Sequence, residues 1–294
     1  MEILDSCPVC GHKETLPFLS CIDYTVSKKS FDIVSCKSCD FKFTNPRPEA
    51  KDIGQYYQSE DYISHSNSKK GLFNKLYQMV RNYTISQKLS LINKHVSRGT
   101  ILDIGCGTGE FLNYCKQKNW ETFGIEPGLE ARNFAEKNYN LTVGKEEQIK
   151  EIPDHSKDVI TMWHVLEHVH QLNDRVMELK RIIKPNGVVI IAVPNCSSLD
   201  AIYYKERWAA YDLPRHLYHF TPKNIIELFQ KHGFKNIEIH PMKFDSFYVS
   251  MLSEKYKNGK INYLSSILMG LKSNLSAATK KNHTYSSQIY VFKK

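Results

Sequence analysis

Between Thr100 and Glu110 the chain reads TILDIGCGTGE, an apolar strand that runs directly into a glycine-punctuated turn and then into a helix start. No other stretch constrains the fold as strongly. Ile101, Leu102 and Ile104 suit a buried strand, while Gly105, Gly107 and Gly109 permit a sharp bend and leave main-chain amides uncovered for a ligand. About twenty residues further on, TFGIE (Thr122 to Glu126) reads as a second short strand ending in a carboxylate placed to accept hydrogen bonds from ribose hydroxyls. Together the two segments predict an α/β sheet with a cofactor at its carboxyl edge.

The flanking sequence continues that alternation. Leu76, Val80, Tyr83, Lys88, Leu91, Ile92 and Val96 fit a helix before the first strand, and helices are predicted over Glu110 to Lys118 and Gly128 to Tyr139. Leu141 to Val143 reads as a very short third strand, Lys157 to Met162 as the fourth, and Val188 to Val193 as a fifth strand apolar enough to lie between two helix layers. Leu172, Val176, Leu179 and Ile183 keep a helical beat between the last two. A long connection then runs to Tyr218, before a helix that opens at Thr221-Pro222 and stops at Gly233. Ile237 to Ile239, Phe244 to Val249 and Ser286 to Phe292 are expected as strands, with an added helix of unassigned purpose in Ser253 to Lys281.

DIGCGTG followed by GIEP, DVITMWHVLEHV, LKRIIKPNGVVIIAVPN and DLPRHLYHFTP resembles the class I S-adenosylmethionine-dependent methyltransferases, in particular the small-molecule branch with ubiquinone-type and sugar-modifying enzymes. The resemblance covers roughly Tyr83 to Gly233. It implies a Rossmann-like seven-stranded methyltransferase sheet with helices on both faces. A nicotinamide enzyme would share the strand, turn and acidic residue, but its fingerprint is G-x-G-x-x-G, whereas this turn is G-x-G-x-G with Asp103 inside the strand end. By resemblance, Asp103 orders the turn, Gly105, Cys106, Gly107 and Gly109 line the cofactor, and Glu126-Pro127 holds the ribose. The turn after the third strand meets the adenine in that family, usually through an Asp; here Lys145 stands there, which leaves Glu146 or a main-chain amide. Trp163 and His164 follow the fourth strand at the ligand edge, and Arg81 is a candidate partner for the cofactor carboxylate.

Cys7-Pro-Val-Cys10 and Cys36-Lys-Ser-Cys39 form two C-x-x-C knuckles separated by 25 residues, a spacing that predicts a zinc ribbon over residues 1–48. Four thiolates leave no open coordination position, so the expected Zn2+ is structural. Cys21, Cys106, Cys115 and Cys196 lack partner spacing and read as packing residues. Asn45-Pro46-Arg47-Pro48 marks the ribbon's exit, and residues 49–98 are expected as a helical lid or connector in which Tyr57, Tyr62 and His65 either cover the cofactor or pack on the core. The methyltransferase domain is placed at 99–294, with an insertion at 194–220 and an extra helical segment at 253–281.

Forty basic against 31 acidic side chains give a formal charge of +9. Four zinc-bound thiolates would remove about two of those charges, and the remaining lysines are scattered rather than interleaved with aromatics, which favours a solvated surface over a polyanion-binding face. No run reaches the roughly 18 apolar residues of a membrane span, and MEILDSCPVC lacks a signal-peptide plan, so a cytoplasmic enzyme is expected. Aromatic, cationic and proton-transferring groups concentrate in the insertion, at Trp208, Tyr211, Asp212, Arg215, His216, Tyr218 and His219. His216 is the first candidate for a general base, followed by His164 and His219, with Arg215 orienting the acceptor. His168 reads as a hydrogen-bonded structural histidine. The expected activity is methylation, favoured on oxygen, of a small-molecule or carrier-bound acceptor. RNA-base methylation and a non-catalytic cofactor-binding scaffold docked through the ribbon are the alternatives.

Overall fold

The computed structural model describes residues 1–57, 72–279 and 284–294; Tyr62 and His65 lie outside them. In chain order the elements are β1 (Thr15–Ile22), β2 (Ser30–Cys36), β3 (Lys42–Thr44), α1 (Leu72–His95), β4 (Thr100–Ile104), α2 (Glu110–Gln117), β5 (Glu121–Ile125), α3 (Leu129–Tyr139), β6 (Thr142–Gly144), β7 (Lys157–Trp163), α4 (Leu172–Ile182), β8 (Ile183–Pro194), α5 (Leu199–Tyr204), β9 (Tyr218–His219), α6 (Pro222–Lys231), β10 (Lys235–Pro241), α7 (Asp245–Asn258), α8 (Tyr263–Thr279) and β11 (Ser287–Lys293). The larger sheet has the order β10-β11-β8-β7-β4-β5-β6, and its five strands from β8 to β6 run parallel. β11 is antiparallel to both its neighbours. None of the helices, among the described residues, is long and apolar enough to cross a membrane.

Alternation along β8 explains its continuous apolar run. Val188, Ile190 and Ala192 join Leu89 and Ile92 of α1 and Leu112 and Cys115 of α2 on one face. Val189, Ile191 and Val193 meet Val176 and Leu179 of α4 and Leu228 and Phe229 of α6 on the other. A strand covered on both sides has no polar face to show. α6 starts where its capping residues say it should: the Thr221 hydroxyl accepts from the Asn224 amide at 3.3 Å, Pro222 occupies the first turn, and Gly233 takes a φ of +80° beyond the end.

Two expectations change. Phe244 to Val249 is not strand; it opens α7, which buries Ser246, Val249, Ser250, Ser253 and Glu254, a helical i, i+3, i+4, i+7 spacing that the adjacent aromatics Phe247 and Tyr248 obscure. The added helix of 253–281 is in fact the end of α7 and a separate α8, divided at Gly259 with φ +74°. Small residues let the pair approach closely, and a Cβ on Gly270 would lie 2.7 Å from the Phe247 ring.

The smaller sheet has the order β1-β2-β3-β9. Its fourth strand comes from the long connection between β8 and α6, expected above as an insertion, with Phe43 opposite Tyr218 and Lys42 opposite His219. The Thr44 amide adds a bond to the Leu217 carbonyl at 3.0 Å, and Cys7, Val9, Cys36, Phe41 and Phe43 share one apolar cluster with strands of the larger sheet. The amino-terminal module is therefore stitched to the connection that leaves β8.

Candidate active site

At the carboxyl end of β4 the three turn glycines all have positive φ, at 72°, 55° and 82° for Gly105, Gly107 and Gly109. They do different work. A Cβ on Gly105 would overlap Val165, and one on Gly109 would lie 2.6 Å from Leu141, so both positions are closed by packing. Around Gly107 nothing lies within 4 Å of such a Cβ, so this glycine faces open space in the crevice. Glu126, at the end of β5, reaches across to this turn: its Oε2 accepts from the Gly107 amide at 2.9 Å and its Oε1 from the Gly128 amide at 2.8 Å. Those bonds hold a carboxylate beside the one unobstructed glycine, the placement that a ribose diol requires. Gly105→Ala is accordingly expected to destabilise the fold. Gly107→Ala should cost no more than about 1–2 kcal/mol of left-handed strain while lowering affinity for S-adenosylmethionine at least tenfold. Thermal melts and calorimetric titration of the two variants distinguish these outcomes; equal effects on both quantities would contradict this division of roles.

The remaining cofactor candidates ring the turn. Asp103 is buried below it and accepts from the Thr161 hydroxyl at 2.6 Å; burial pushes its carboxyl up to about 7 against the opposing pull of Thr161 and the Lys88 cation. The Cys106 side chain packs at Gly124, whose added Cβ would lie 2.6 Å from Sγ. Pro127 is exposed after Glu126, and Glu146 pairs with Arg175. Arg81 of α1 lies 3.4 Å from Glu110 at the start of α2. Trp163 is half-buried, with the Lys88 Nζ 4.1 Å above its ring and the Phe111 ring edge-on at 5.5 Å.

After β7 the chain does not form a regular helical turn. His164 takes a φ of +57°, and Leu166 to His168 form a tight 3-10 turn, so the two imidazoles diverge. His164 Nε2 lies 3.1 Å from Asp245 of α7 and its Nδ1 lies 3.5 Å from Glu167. Burial opposes charge on this ring, but Asp245 first and Glu167 second outweigh it and raise His164 to about 10. It is an imidazolium near neutral pH and poorly suited to accept a proton. His168 goes the other way, lowered to about 4 by burial and by His216 beside it. Its Nδ1 lies 3.0 Å from the Arg215 carbonyl and 2.9 Å from Tyr57 Oη.

The insertion delivers His216 to the same place. Its Nδ1 lies 2.8 Å from the Ala210 carbonyl, and its ring stands edge-on to His168 with centroids 4.6 Å apart. The other two insertion candidates lie elsewhere. Arg215, expected to orient an acceptor, is 1% exposed, and its guanidinium binds Asp23, Thr25, Asp212 and the Tyr56 carbonyl. It is a staple between β1's end, the connector and the insertion. His219 sits in β9 with its Nε2 3.2 Å from Thr44 Oγ1, and burial lowers its affinity for a proton well below the ordinary value. Sequence reasoning did not single out Glu167 or Asp245, because nothing local to Asp245 marks it as a partner of His164.

In the amino-terminal module, Cys7 and Cys39 Sγ lie 3.6 Å apart and Cys10 and Cys36 Sγ 3.5 Å apart, with all four within 4.8 Å of one another. Those are close to the edges of a tetrahedron with metal–sulfur bonds of about 2.3 Å. Turns closed by Gly11 N to Cys7 O and Asp40 N to Cys36 O, at 2.8 and 2.9 Å, shape the two knuckles. The cluster is consistent with a zinc module.

Comparison with known proteins agrees with this geometry. The sequence profile of the methyltransferase domain matches residues 77–239, more than half of the chain. An uncharacterised protein of Methanocaldococcus jannaschii is 26% identical over 152 residues, which are 51% of this chain and 72% of that protein. The ubiquinone biosynthesis O-methyltransferase of Rickettsia typhi is 30% identical over 141 residues, 45% of this chain and 57% of that enzyme, so the match spans little more than half of this relative. A SAM dependent methyltransferase from Archaeoglobus fulgidus shares the fold with a TM-score of 0.52 at 20% identity, covering 76% of this chain and 100% of that one. The turn, the strand order and the profile converge: the chain belongs to the methyltransferase-domain family and is an S-adenosylmethionine-dependent methyltransferase.

Proposed function

We propose that the enzyme methylates a hydroxyl of a small-molecule or carrier-bound acceptor, seated between the glycine turn and the insertion, with His216 as the group that takes the hydroxyl proton. The observation that carries this reading is the convergence of His168 and His216, edge-on at 4.6 Å, beside Glu167 on the loop whose Val165 packs against Gly105. Bound S-adenosylmethionine supplies an electrophilic methyl group. Gly107 and Glu126 hold its ribose side, with Glu146 and the Lys145 turn toward the base and Trp163 and Arg81 toward the methionine half. The Ala210 carbonyl fixes the His216 tautomer with hydrogen on Nδ1, so the Nε2 lone pair is the one available to a proton. His164, held cationic by Asp245, contributes charge to the rim rather than proton transfer. The Rickettsia typhi relative, named as an O-methyltransferase, supports oxygen as the target. The ribbon cysteines Cys7, Cys10, Cys36 and Cys39 would hold one structural Zn2+.

A direct test incubates the full chain and labelled S-adenosylmethionine with phenols, sugar nucleotides and carrier-bound thioesters bearing free hydroxyls. Product on one class is expected, and His216→Gln should cut its turnover at least about 10²-fold while calorimetric affinity for the cofactor stays within twofold. Turnover equal to the parent's would remove His216 from the reaction, and cofactor binding without label transfer to any class would count against the hydroxyl reading.

A further inference from the structure

Helix α8 is built inside out. Of its 17 residues, those turned to the protein are Ser266, Met269, Gly270, Ser273 and Ala277. The Ser266 hydroxyl donates back to the Asn262 carbonyl at 2.7 Å, and the Ser273 hydroxyl donates to the buried Asp200 at 2.6 Å. The opposite side carries Leu264, Ile267, Leu268, Leu271 and Leu275, which are between 45% and 69% exposed. Both sets follow the same i, i+3, i+4, i+7, i+11 spacing, displaced by two residues or about 200° around the axis, so they occupy opposite faces. A helix on a water-exposed surface orders these classes the other way, with aliphatic residues in and hydroxyls out. Single exposed leucines are ordinary, but a stripe of five aliphatic side chains marks a face that has a partner.

Charge identifies that partner. From Lys255 to Lys294 the sequence holds eight lysines and neither Asp nor Glu. Lys255, Lys257 and Lys260, on the approach to α8, and Lys272 within it are all exposed. A second copy of the chain would set one acid-free basic face against another. An RNA would offer phosphates to the lysines but has no use for a row of aliphatic side chains, since bases stack on aromatic rings. An anionic bilayer meets both needs: the aliphatic side chains enter the acyl boundary while the lysines reach the headgroups. Tyr263, exposed at the start of the helix, has the amphipathic ring that favours this depth. At about 1.5 Å per residue α8 is about 26 Å long, and it carries Lys272 near its middle, so it lies along such a surface and does not cross it.

We propose that the outward face of α8, with Tyr263 and the lysines around it, docks the enzyme on a membrane surface rich in anionic headgroups. α8 lies on the opening turn of α7, where Gly270 meets Phe247, and α7 begins with the Asp245 that faces His164. The docking face is one helix removed from the rim of the active site. Binding through it is independent of which acceptor the site methylates.

Co-sedimentation of the full chain with lipid vesicles tests this. Equimolar phosphatidylcholine and phosphatidylglycerol should carry down most of the protein, pure phosphatidylcholine at least about fivefold less, and raised salt should release it. Leu268→Gln combined with Leu271→Gln should weaken partition onto the anionic vesicles at least about tenfold. Lys260→Glu combined with Lys272→Glu should weaken it while leaving the apolar stripe intact. All four side chains are exposed, so thermal midpoint and calorimetric affinity for the cofactor should stay near the parent's, which separates lost docking from a lost fold. No sedimentation, equal sedimentation with both vesicles, or sedimentation indifferent to the leucine pair overturns the proposal. So does a lipid-free dimer that the leucine pair converts to monomer, or tight RNA binding lost with the same pair, because either gives the face to another occupant.

Discussion

Cys36→Ser is expected to abolish metal retention by the ribbon and, with it, the order of a segment 180 residues away in the chain, from Leu217 to Phe220. Cys36 is buried, terminates β2 and faces Cys10 across the cluster. Structural zinc contributes on the order of 10 kcal/mol to zinc-finger peptides, comparable with the whole stability of an ordinary domain. Its loss should free β3, which has only three residues and carries β9 on its far edge. Hydrogen exchange can follow this directly: protection of the Leu217 to Phe220 amides should fall at least 10²-fold in Cys36→Ser and in the chelator-treated parent, while β4 and β7 keep theirs. Native protection at 217–220 in a metal-free chain would show that the insertion stands without the ribbon.

Arg215→Met should lower stability by about 3–5 kcal/mol, the range seen when one partner of a buried ion pair is removed. The guanidinium makes bonds of 3.1 Å to Asp23, 2.9 Å to the Tyr56 carbonyl and 3.0 Å to Thr25, and it takes both oxygens of Asp212. Deleting it leaves Asp23, itself 0% exposed, without its counter-ion. Lysine should not restore the loss, because a point charge cannot reproduce the planar fork. The double variant Arg215→Met with Asp23→Asn should recover part of it, since the orphaned charge is then gone. Denaturant unfolding of the single and double variants measures both effects, and a single-variant loss below about 1 kcal/mol would show that the network contributes little.

The parts of this molecule that were legible in its sequence are those whose chemistry is local. A glycine can take left-handed φ wherever it stands, so the bend at Gly105, Gly107 and Gly109 was visible without neighbours. Two cysteines two apart shape a knuckle by themselves, and the alternating apolar run of β8 implies cover on both faces. What stayed hidden depends on partners far along the chain. Nothing near Tyr218 announces that it will pair with Phe43, and nothing near Arg215 announces Asp23. Read in isolation, an arginine beside two histidines in a long loop looks like substrate-binding equipment. His168 reads from the sequence as a hydrogen-bonded histidine and does bond the Arg215 carbonyl, but nothing in its turn announces His216, which arrives through a connection anchored on another sheet. The α7 segment failed for a related reason: aromatic residues favour strands until a second helix, here α8, offers them a surface.

That shared β3–β9 edge also sets terms for anyone redesigning the enzyme. A swapped insertion from a cousin with other acceptor tastes would arrive without its dock, and a donor protein lacking the cysteine knuckles has no edge to lend. Chimaeras exchanging both pieces together should consequently fold, while those exchanging either one alone come out of the cell insoluble.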